Sequence, residues 1–299
     1  MMGATYTTAS SVEDAVAAMA AGARPVAGGT DLVVGARQGK KPLPQALVGI
    51  HKIPGLDGIG ESDGGLVLGA LVTHSALVSH PIVRGRFTGL ADASAIVGSH
   101  ATRANGTIGG NLMNASPAMD TGAPLLCMGA TVELAGPGGR RTIGLDELWA
   151  GPGQLSASAD ELLVSVNIPA PSPGTGSAYV RLQYRRQMEI AVVGAAAVVT
   201  LGGGAVMDAR IAITALAPTI HRVPDAEAAL VGGPPDEARV DAAAAAAAAA
   251  ARPIGDVRAS VEYRRAMAVV MARRAITTAV ARASGQDMAI PASDSTYGS

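Results

Sequence analysis

Short apolar runs and helical patterns alternate along the first fifty residues. The run Ser11-Val12-Glu13-Asp14 resembles a capping box, in which a serine side chain accepts from an amide three residues later, and a helix is predicted over Ala15 to Ala21. Short strands are predicted at Pro25-Val26-Ala27 and Ala46 to Ile50, with a helix from Asp31 to Arg37 between them. This order of elements predicts a small α/β unit.

The chain up to about residue 170 combines further strands with helices. Strands are predicted at Leu66 to Ala70, Thr131 to Leu134, Arg140 to Ile143 and Glu161 to Ile168. Helices are predicted from Phe87 to Val97 and from Pro117 to Met128. The proline-rich run Pro169 to Gly174 interrupts regular structure. We therefore expect two domains, at 1–175 and 176–299.

A hairpin and three helices are predicted for the second domain. Two apolar strands, Ala191 to Leu201 and Ala205 to Leu216, flank the turn Gly202-Gly203-Gly204. Helical patterns follow near 223–231, 236–251 and 260–283. The polyalanine tract Ala242 to Ala251 has high helix propensity but little apolar area, so we expect a loosely packed helix there. The predicted class is α+β.

Composition excludes several functions. The 299 residues carry 23 basic and 24 acidic side chains, so no overall field favours nucleic acid. Cys127 is the single cysteine, which leaves this chain without a disulfide framework or the ligands of an iron–sulfur cluster. The N-terminus shows no secretory signal, and no apolar run is long enough to span a membrane. We expect a cytoplasmic protein, and no metal is predicted because the five histidines show no ligand spacing.

Two glycine-rich segments carry the candidate chemistry. Ala27-Gly28-Gly29-Thr30-Asp31-Leu32 and Gly106-Thr107-Ile108-Gly109-Gly110-Asn111 each place a glycine pair beside small polar side chains, at the predicted start of a helix. Exposed backbone N–H groups at such places suit phosphate oxygens. A glycine pair is more often a simple turn, and neither segment fits the spacing of a Rossmann or P-loop motif. Two segments of this kind nevertheless predict one diphosphate held from two sides.

These segments, followed by Arg185-Arg186-Gln187-Met188-Glu189-Ile190-Ala191 and Glu262-Tyr263-Arg264-Arg265, occur in the order used by one family. The chain resembles, nearly end to end, the FAD-binding medium subunit of molybdenum hydroxylases, the group of xanthine dehydrogenase and aerobic carbon monoxide dehydrogenase. The resemblance implies a two-part FAD domain of the vanillyl-alcohol-oxidase or PCMH type. A smaller domain of antiparallel sheet and helices would follow it.

The resemblance also implies which residues contact FAD. Asp120 would lie on the adenosine side, Leu163 and Val97 beside the flavin ring, and Arg181 near the isoalloxazine, where its charge would favour the anionic reduced form. The two glycine segments would hold the diphosphate. The implied cofactor-binding residues are Pro25, Val26, Ala27, Gly28, Gly29, Thr30, Asp31, Leu32, Val97, Thr107, Ile108, Gly109, Gly110, Asn111, Asp120, Leu163 and Arg181.

The function implied by the resemblance is electron transfer without catalytic residues of this chain's own. A small partner with two two-iron two-sulfur clusters and a large partner with molybdopterin would complete the complex, as a dimer of heterotrimers. Electrons reaching the FAD would pass to NAD, a quinone, dioxygen or a protein acceptor. Two alternatives stay open: a self-sufficient flavin oxidase of the same fold, and an assembly protein that has lost its flavin. The sequence identifies neither the substrate nor the acceptor.

Overall fold

The computed structural model describes residues 4–39 and 42–297. Residues 1–3, part of the segment in which a secretory signal was sought, lie outside this described part. The described chain forms three layers in sequence order, each built around its own sheet.

The first layer is a small parallel α/β unit. It consists of β1 (Thr5–Thr8), α1 (Val12–Ala20), β2 (Arg24–Val26), α2 (Thr30–Arg37) and β3 (Ala46–Gly49). The strands pair in parallel in the order β1-β3-β2, because each helix returns the chain to the same end of the sheet. Ser11 caps α1 by accepting from the amide of Asp14 at 3.0 Å. The predicted α/β order is confirmed, and β1 is an addition that its exposed, threonine-rich sequence did not reveal.

The second layer surrounds a five-stranded antiparallel sheet in the order β4-β5-β10-β6-β7. Its elements are β4 (Ile59–Ser62), β5 (Gly65–Gly69), α3 (His74–Ser79), α4 (Pro81–Arg86), α5 (Thr88–Ile96), α6 (His100–Asn105), α7 (Ile108–Met113), α8 (Gly122–Cys127), β6 (Thr131–Gly136), β7 (Gly139–Gly144), α9 (Leu145–Leu148), β8 (Trp149–Gly151), β9 (Gln154–Leu155) and β10 (Leu162–Ile168). One apolar core lies between this sheet and its helices, and a smaller one joins the sheet to the first layer.

The third layer is a four-stranded antiparallel sheet covered by helices. It comprises β11 (Thr175–Leu182), β12 (Val193–Gly202), β13 (Ala205–Thr214), β14 (His221–Arg222), α10 (Pro224–Leu230), α11 (Glu237–Ala250), α12 (Val261–Ala283) and α13 (Ala292–Tyr297). The hairpin of β12 and β13 and the three predicted helices are confirmed, each within a few residues. Strand β11 was not predicted, and it begins directly after the proline-rich run.

Side-chain alternation on β11 gives this sheet two buried faces. Tyr179 belongs to the core of the second layer, whereas Ala178 and Val180 belong to the core under α11 and α12. The sheet is therefore the shared wall between the two cores. This arrangement brings β11 against α5 and the segment that follows α7.

One predicted helix is correct only in its second half. Pro117 to Met128 forms turns as far as Thr121, and only Gly122–Cys127 is helical. The carboxylate of Asp120 points into the protein from these turns, where Tyr179 and Arg181 satisfy it. Tertiary hydrogen bonds thus replace the backbone ladder that the apolar pattern favoured.

Candidate cofactor-binding site

The two glycine segments lie against each other although about eighty residues separate them. The first connects β2 to α2, and the second leads from α6 into α7. A Cβ at Gly28 would overlap the carbonyl oxygen of Asn105 and would lie 3.2 Å from the amide nitrogen of Gly106. Only a residue without a side chain permits this approach. The side chain of Thr30 also approaches Gly106, with its Oγ1 3.6 Å from where a Cβ would stand.

The first segment presents a row of open backbone donors. Gly29 precedes α2 in the left-handed conformation, with φ of +67°, and no side chain caps this helix. Among the described residues, none of the amides from Gly28 to Leu32 donates to a protein acceptor. The first amides of a helix carry partial positive charge and bind anions when nothing else satisfies them. This row, beside the bare backbone of Gly28, fits one diphosphate.

The second segment differs from the prediction, because its amides are already occupied. The amides of Ile108 and Gly109 each donate at 2.9 Å, to the carbonyls of Val72 and Ala70 respectively. The amide of Gly110 donates to the Thr107 hydroxyl. Asn111 donates from its backbone to the Thr107 carbonyl. These four N–H groups hold α7 in place, and the contacts of this backbone segment with a phosphate stay a prediction.

The second segment can bind a ligand through its side chains. Asn111 accepts from Thr121 through Oδ1 at 2.6 Å, which leaves its NH₂ group as a donor. The Thr107 hydroxyl accepts from Gly110 and keeps its own hydrogen to donate. Gly109 is needed for packing, since a Cβ there would stand 2.6 Å from the Ala70 carbonyl oxygen.

Asp120 and Arg181 form a buried ion pair beside this region. Arg181 Nη1 donates to Asp120 Oδ2 at 2.7 Å, and the Tyr179 hydroxyl donates to Oδ1 at 2.9 Å. Burial raises the pKa of Asp120, and the charge of Arg181 opposes that shift. Arg181 is fully buried and also donates to the carbonyl of Ile96 at 3.1 Å. The resemblance placed Asp120 on the adenosine side of FAD and Arg181 near the isoalloxazine, whereas the structure pairs the two side chains directly. Both contacts with FAD stay predictions.

The two remaining predicted residues, Leu163 and Val97, differ in how far they are buried. Leu163 is 2% exposed and belongs to the core of the second layer, and its contact with a flavin stays a prediction. Val97 is half-buried and ends α5, one residue after the carbonyl that Arg181 binds. A contact between Val97 and a flavin stays a prediction.

Sequence reasoning missed two buried residues close to the glycine segments. Arg103 on α6 is 9% exposed, and His74, the first residue of α3, is 1% exposed. The His74 amide donates to the Gly106 carbonyl at 3.1 Å. Burial, followed by the charge of Arg103, lowers the pKa of His74 to about 4, so this imidazole is neutral at pH 7. Histidine spacing gave no signal for this position because the bond to Gly106 is made by the backbone amide of His74, which almost any residue would supply.

Three further findings, on metal ligands, membrane-spanning helices and the cysteine, apply to the residues that the structure describes. No three side chains of the His, Cys, Asp or Glu type are grouped there so as to hold a metal ion. None of the helices in the described ranges has the length and apolar character required to cross a bilayer. Cys127 is buried, and burial raises the pKa of its thiol far above the usual value.

Two family models match this chain. The one described as the FAD binding domain in molybdopterin dehydrogenase matches residues 2–171, and the one described as the CO dehydrogenase flavoprotein C-terminal domain matches residues 178–279. The carbon monoxide dehydrogenase medium chain of Afipia carboxidovorans is 36% identical over 281 residues, covering 93% of this chain and 97% of the relative. The xanthine dehydrogenase FAD-binding subunit of Escherichia coli O157:H7 is 30% identical, with coverage of 95% and 98%.

A solved structure has the same fold. Carbon monoxide dehydrogenase from Hydrogenophaga pseudoflava, in a form lacking the Mo-pyranopterin moiety, superimposes with a TM-score of 0.90 at 36% identity, covering 94% of this chain and 98% of that one. The predicted fold class, an FAD-binding region followed by antiparallel sheet and helices, is confirmed. The chain therefore belongs to the family of FAD-binding medium subunits of molybdenum hydroxylases, and FAD is its cofactor.

Proposed function

We propose that this chain carries electrons between two partners rather than transforming a substrate itself. In this proposal it accepts electrons from the iron–sulfur clusters of a small subunit, and a large molybdopterin subunit performs the hydroxylation. The chain then passes the electrons to an external acceptor, which is NAD, a quinone, dioxygen or a protein. The names of its relatives, which include medium chains and FAD-binding subunits, support a role within such a complex.

The observation that carries the proposal is the meeting of the two glycine segments beside open amides. We propose that Pro25 to Leu32 holds the FAD diphosphate through its free N–H groups, with Gly28 giving the room. Thr107 and Asn111 would add side-chain donors from the opposite side. A diphosphate needs several donors at once, and these two segments supply them from both sides.

The roles of this chain's residues are binding and orientation. FAD, when bound, supplies the ability to take up and release electrons, which no protein side chain here provides. The backbone at α2 positions the dinucleotide, and the buried pair of Asp120 and Arg181 fixes the wall formed by β11. The domain limits 1–175 and 176–299, the dimer of heterotrimers and a cytoplasmic location stay predictions.

FAD binding by the full chain tests the site directly. Gly28→Ala would place a Cβ into the Asn105 carbonyl oxygen and force the two segments apart. We expect its affinity for FAD to fall at least about 100-fold, which corresponds to about 2.8 kcal/mol. Flavin fluorescence titration of the deflavinated chain measures this change, with far-UV circular dichroism to verify folding.

A matched control lies in the same helix. Gly35 is in α2 and has no atom within 4 Å of the position a Cβ would take, so Gly35→Ala should bind FAD as tightly as the parent chain. Equal FAD affinity in the folded Gly28→Ala and parent chains would show that the diphosphate does not bind beside Gly28. A parent chain that stays colourless after refolding with FAD would favour the assembly-protein alternative.

The electron-transfer role needs the companion chains. Purification of the native protein, with metal analysis and identification of whatever accompanies it, should yield molybdenum, iron and FAD in one assembly. Turnover of a simple alcohol or phenol by the isolated chain would instead support the self-sufficient oxidase. The first result comes from the native complex and the second from the isolated chain, so each can be interpreted independently of the other.

A further inference from the structure

Arg103 is a buried cation without a carboxylate partner among the residues that the structure describes. Its Nη1 donates to the Val97 carbonyl at 3.0 Å, and its Nη2 lies 3.2 Å from His100 Nδ1. Neither group carries a negative charge. Burial lowers the pKa of Arg103, and no acidic group in the described ranges offsets that effect. A guanidinium remains protonated in proteins even so, and its charge is therefore uncompensated.

The other buried arginines of the described chain are neutralised. Arg181, Arg264 and Arg282 each lie within 2.7 Å of a carboxylate oxygen, which belongs to Asp120, Asp256 or Asp92 respectively. Buried charges are normally paired because a low-dielectric surrounding penalises an isolated one. Arg103 is an exception, because the other buried arginines of the described chain are each paired with a carboxylate.

The position of Arg103 joins it to the proposed diphosphate site. It lies on α6, two residues before Asn105, whose carbonyl oxygen faces Gly28. The neighbouring His74 is neutral at pH 7 and binds the Gly106 carbonyl through its backbone amide. His74 Nδ1 is buried without a hydrogen-bond partner in the structure. Among the residues proposed to line the diphosphate, Pro25 to Leu32 and Thr107 to Asn111, the only ionisable side chain is Asp31, which is acidic.

We infer that Arg103 is the charge partner of the bound cofactor, acting on its negative charge from α6, the helix that precedes the second glycine segment. The inference rests on the proposed FAD site. The anion is the diphosphate, which the position of α6 directly before Gly106 favours, or the reduced flavin ring, which the bond to the Val97 carbonyl favours. Arg103 is thus a positioning residue that no family contact assigned. Arg181, to which the resemblance gave a tuning role, has its charge cancelled by Asp120.

The size of the effect follows from Coulomb's law. A unit charge about 12 Å away, at an effective dielectric constant of about 20, changes a binding constant about tenfold. Arg103→Gln should therefore weaken FAD binding about tenfold. Riboflavin, which lacks the diphosphate, should bind the parent chain and the variant equally. Arg103→Lys keeps the charge and should recover most of the FAD affinity.

The experiment compares both ligands on the deflavinated full chain and adds a potentiometric titration of bound FAD. Arg86→Gln is the control, because Arg86 is an exposed arginine paired with Glu61. A tenfold loss specific to FAD, absent in the control, supports action on the diphosphate. Unchanged oxidised affinity with a midpoint potential lower by about 30 mV, equivalent to tenfold for two electrons, supports action on the reduced ring.

Two results would overturn the inference while leaving the FAD site intact. One is a parent-like FAD affinity and potential in folded Arg103→Gln. The other is an equal loss of FAD and riboflavin binding that Arg103→Lys does not restore, which would mean that Arg103 only supports the shape of α6. Failure of the parent chain itself to bind FAD would instead refute the proposed function.

Discussion

At the residue scale, the buried pair of Asp120 and Arg181 gives the sharpest stability prediction. Asp120→Asn would leave the Arg181 guanidinium fully buried without its carboxylate. We expect a loss of about 3–5 kcal/mol in the free energy of unfolding, because removing one partner of a buried ion pair is costly. Urea denaturation at pH 7 measures it.

The control for that prediction is an exposed pair. Glu61→Gln breaks the contact with Arg86, whose side chain is 39% exposed, and should cost less than about 1 kcal/mol. If Asp120→Asn lowered the free energy of unfolding no more than Glu61→Gln does, the pair of Asp120 and Arg181 would not stabilise the protein next to the site.

Individual residues of the site could be predicted from sequence only in part. Gly28 and Gly29 were placed correctly at a turn before a helix because local chain chemistry decides that. The occupied amides of Ile108 and Gly109 were not predictable, since their acceptors, Val72 and Ala70, are almost forty residues away. Arg103 escaped notice for the same reason, because an unpaired charge is recognised only when its surroundings are known.

At the element scale, long periodic segments were predicted well and short ones were missed. Helix α12, predicted at 260–283 and observed at Val261–Ala283, has enough turns for its apolar face and its Ser260 cap to define both ends. Helices of six residues, such as α6 and α7, contain too few positions to show a period. The candidate site is built from such short elements, which is why its outline needed the structure.

The start of α12 carries a pH-dependent prediction. Partial burial would raise the pKa of Asp256, but hydrogen bonds from the Arg258 amide and from Arg264 lower it to about 2. A depressed folded pKa adds stability above the unfolded value of 3.8, and that stability disappears as pH falls towards 2. Because Asp256, unlike the buried Asp120, is exposed to water that screens the Arg264 charge, and because Arg264 also donates to the Val192 carbonyl, we discount the effect to about 1 kcal/mol.

The test compares Asp256→Asn with the parent chain by urea denaturation across this range. The variant should be about 1 kcal/mol less stable at pH 6 and should approach the parent below pH 3. A difference in stability that stayed constant from pH 6 to pH 2 would show that Asp256 acts through packing rather than charge.

At the scale of the whole molecule, one carboxylate connects the second and third layers. Asp92 on α5 is fully buried and receives two bonds from Arg282 on α12, at 2.6 and 3.0 Å. It also accepts from the backbone amides of Tyr179 and Ala292. Four elements, α5, β11, α12 and α13, therefore depend on a single ion pair.

Arg282→Met should weaken this connection in a way that depends on pH. Burial raises the pKa of Asp92, and Arg282 is the charge that opposes the shift. Without it, the folded pKa rises further above the unfolded 3.8, so protonation favours the folded state and stability falls as pH rises through the folded value. We expect a deficit of about 3–5 kcal/mol at pH 7 that shrinks as the pH approaches 4. Arg273→Met, which removes an exposed cation from the same helix, should cost less than about 1 kcal/mol at both pH values. Thermal unfolding at pH 7 and pH 4 gives both comparisons. If the Arg282→Met deficit were the same at both pH values, the loss of stability would come from lost packing rather than from the unpaired charge of Asp92.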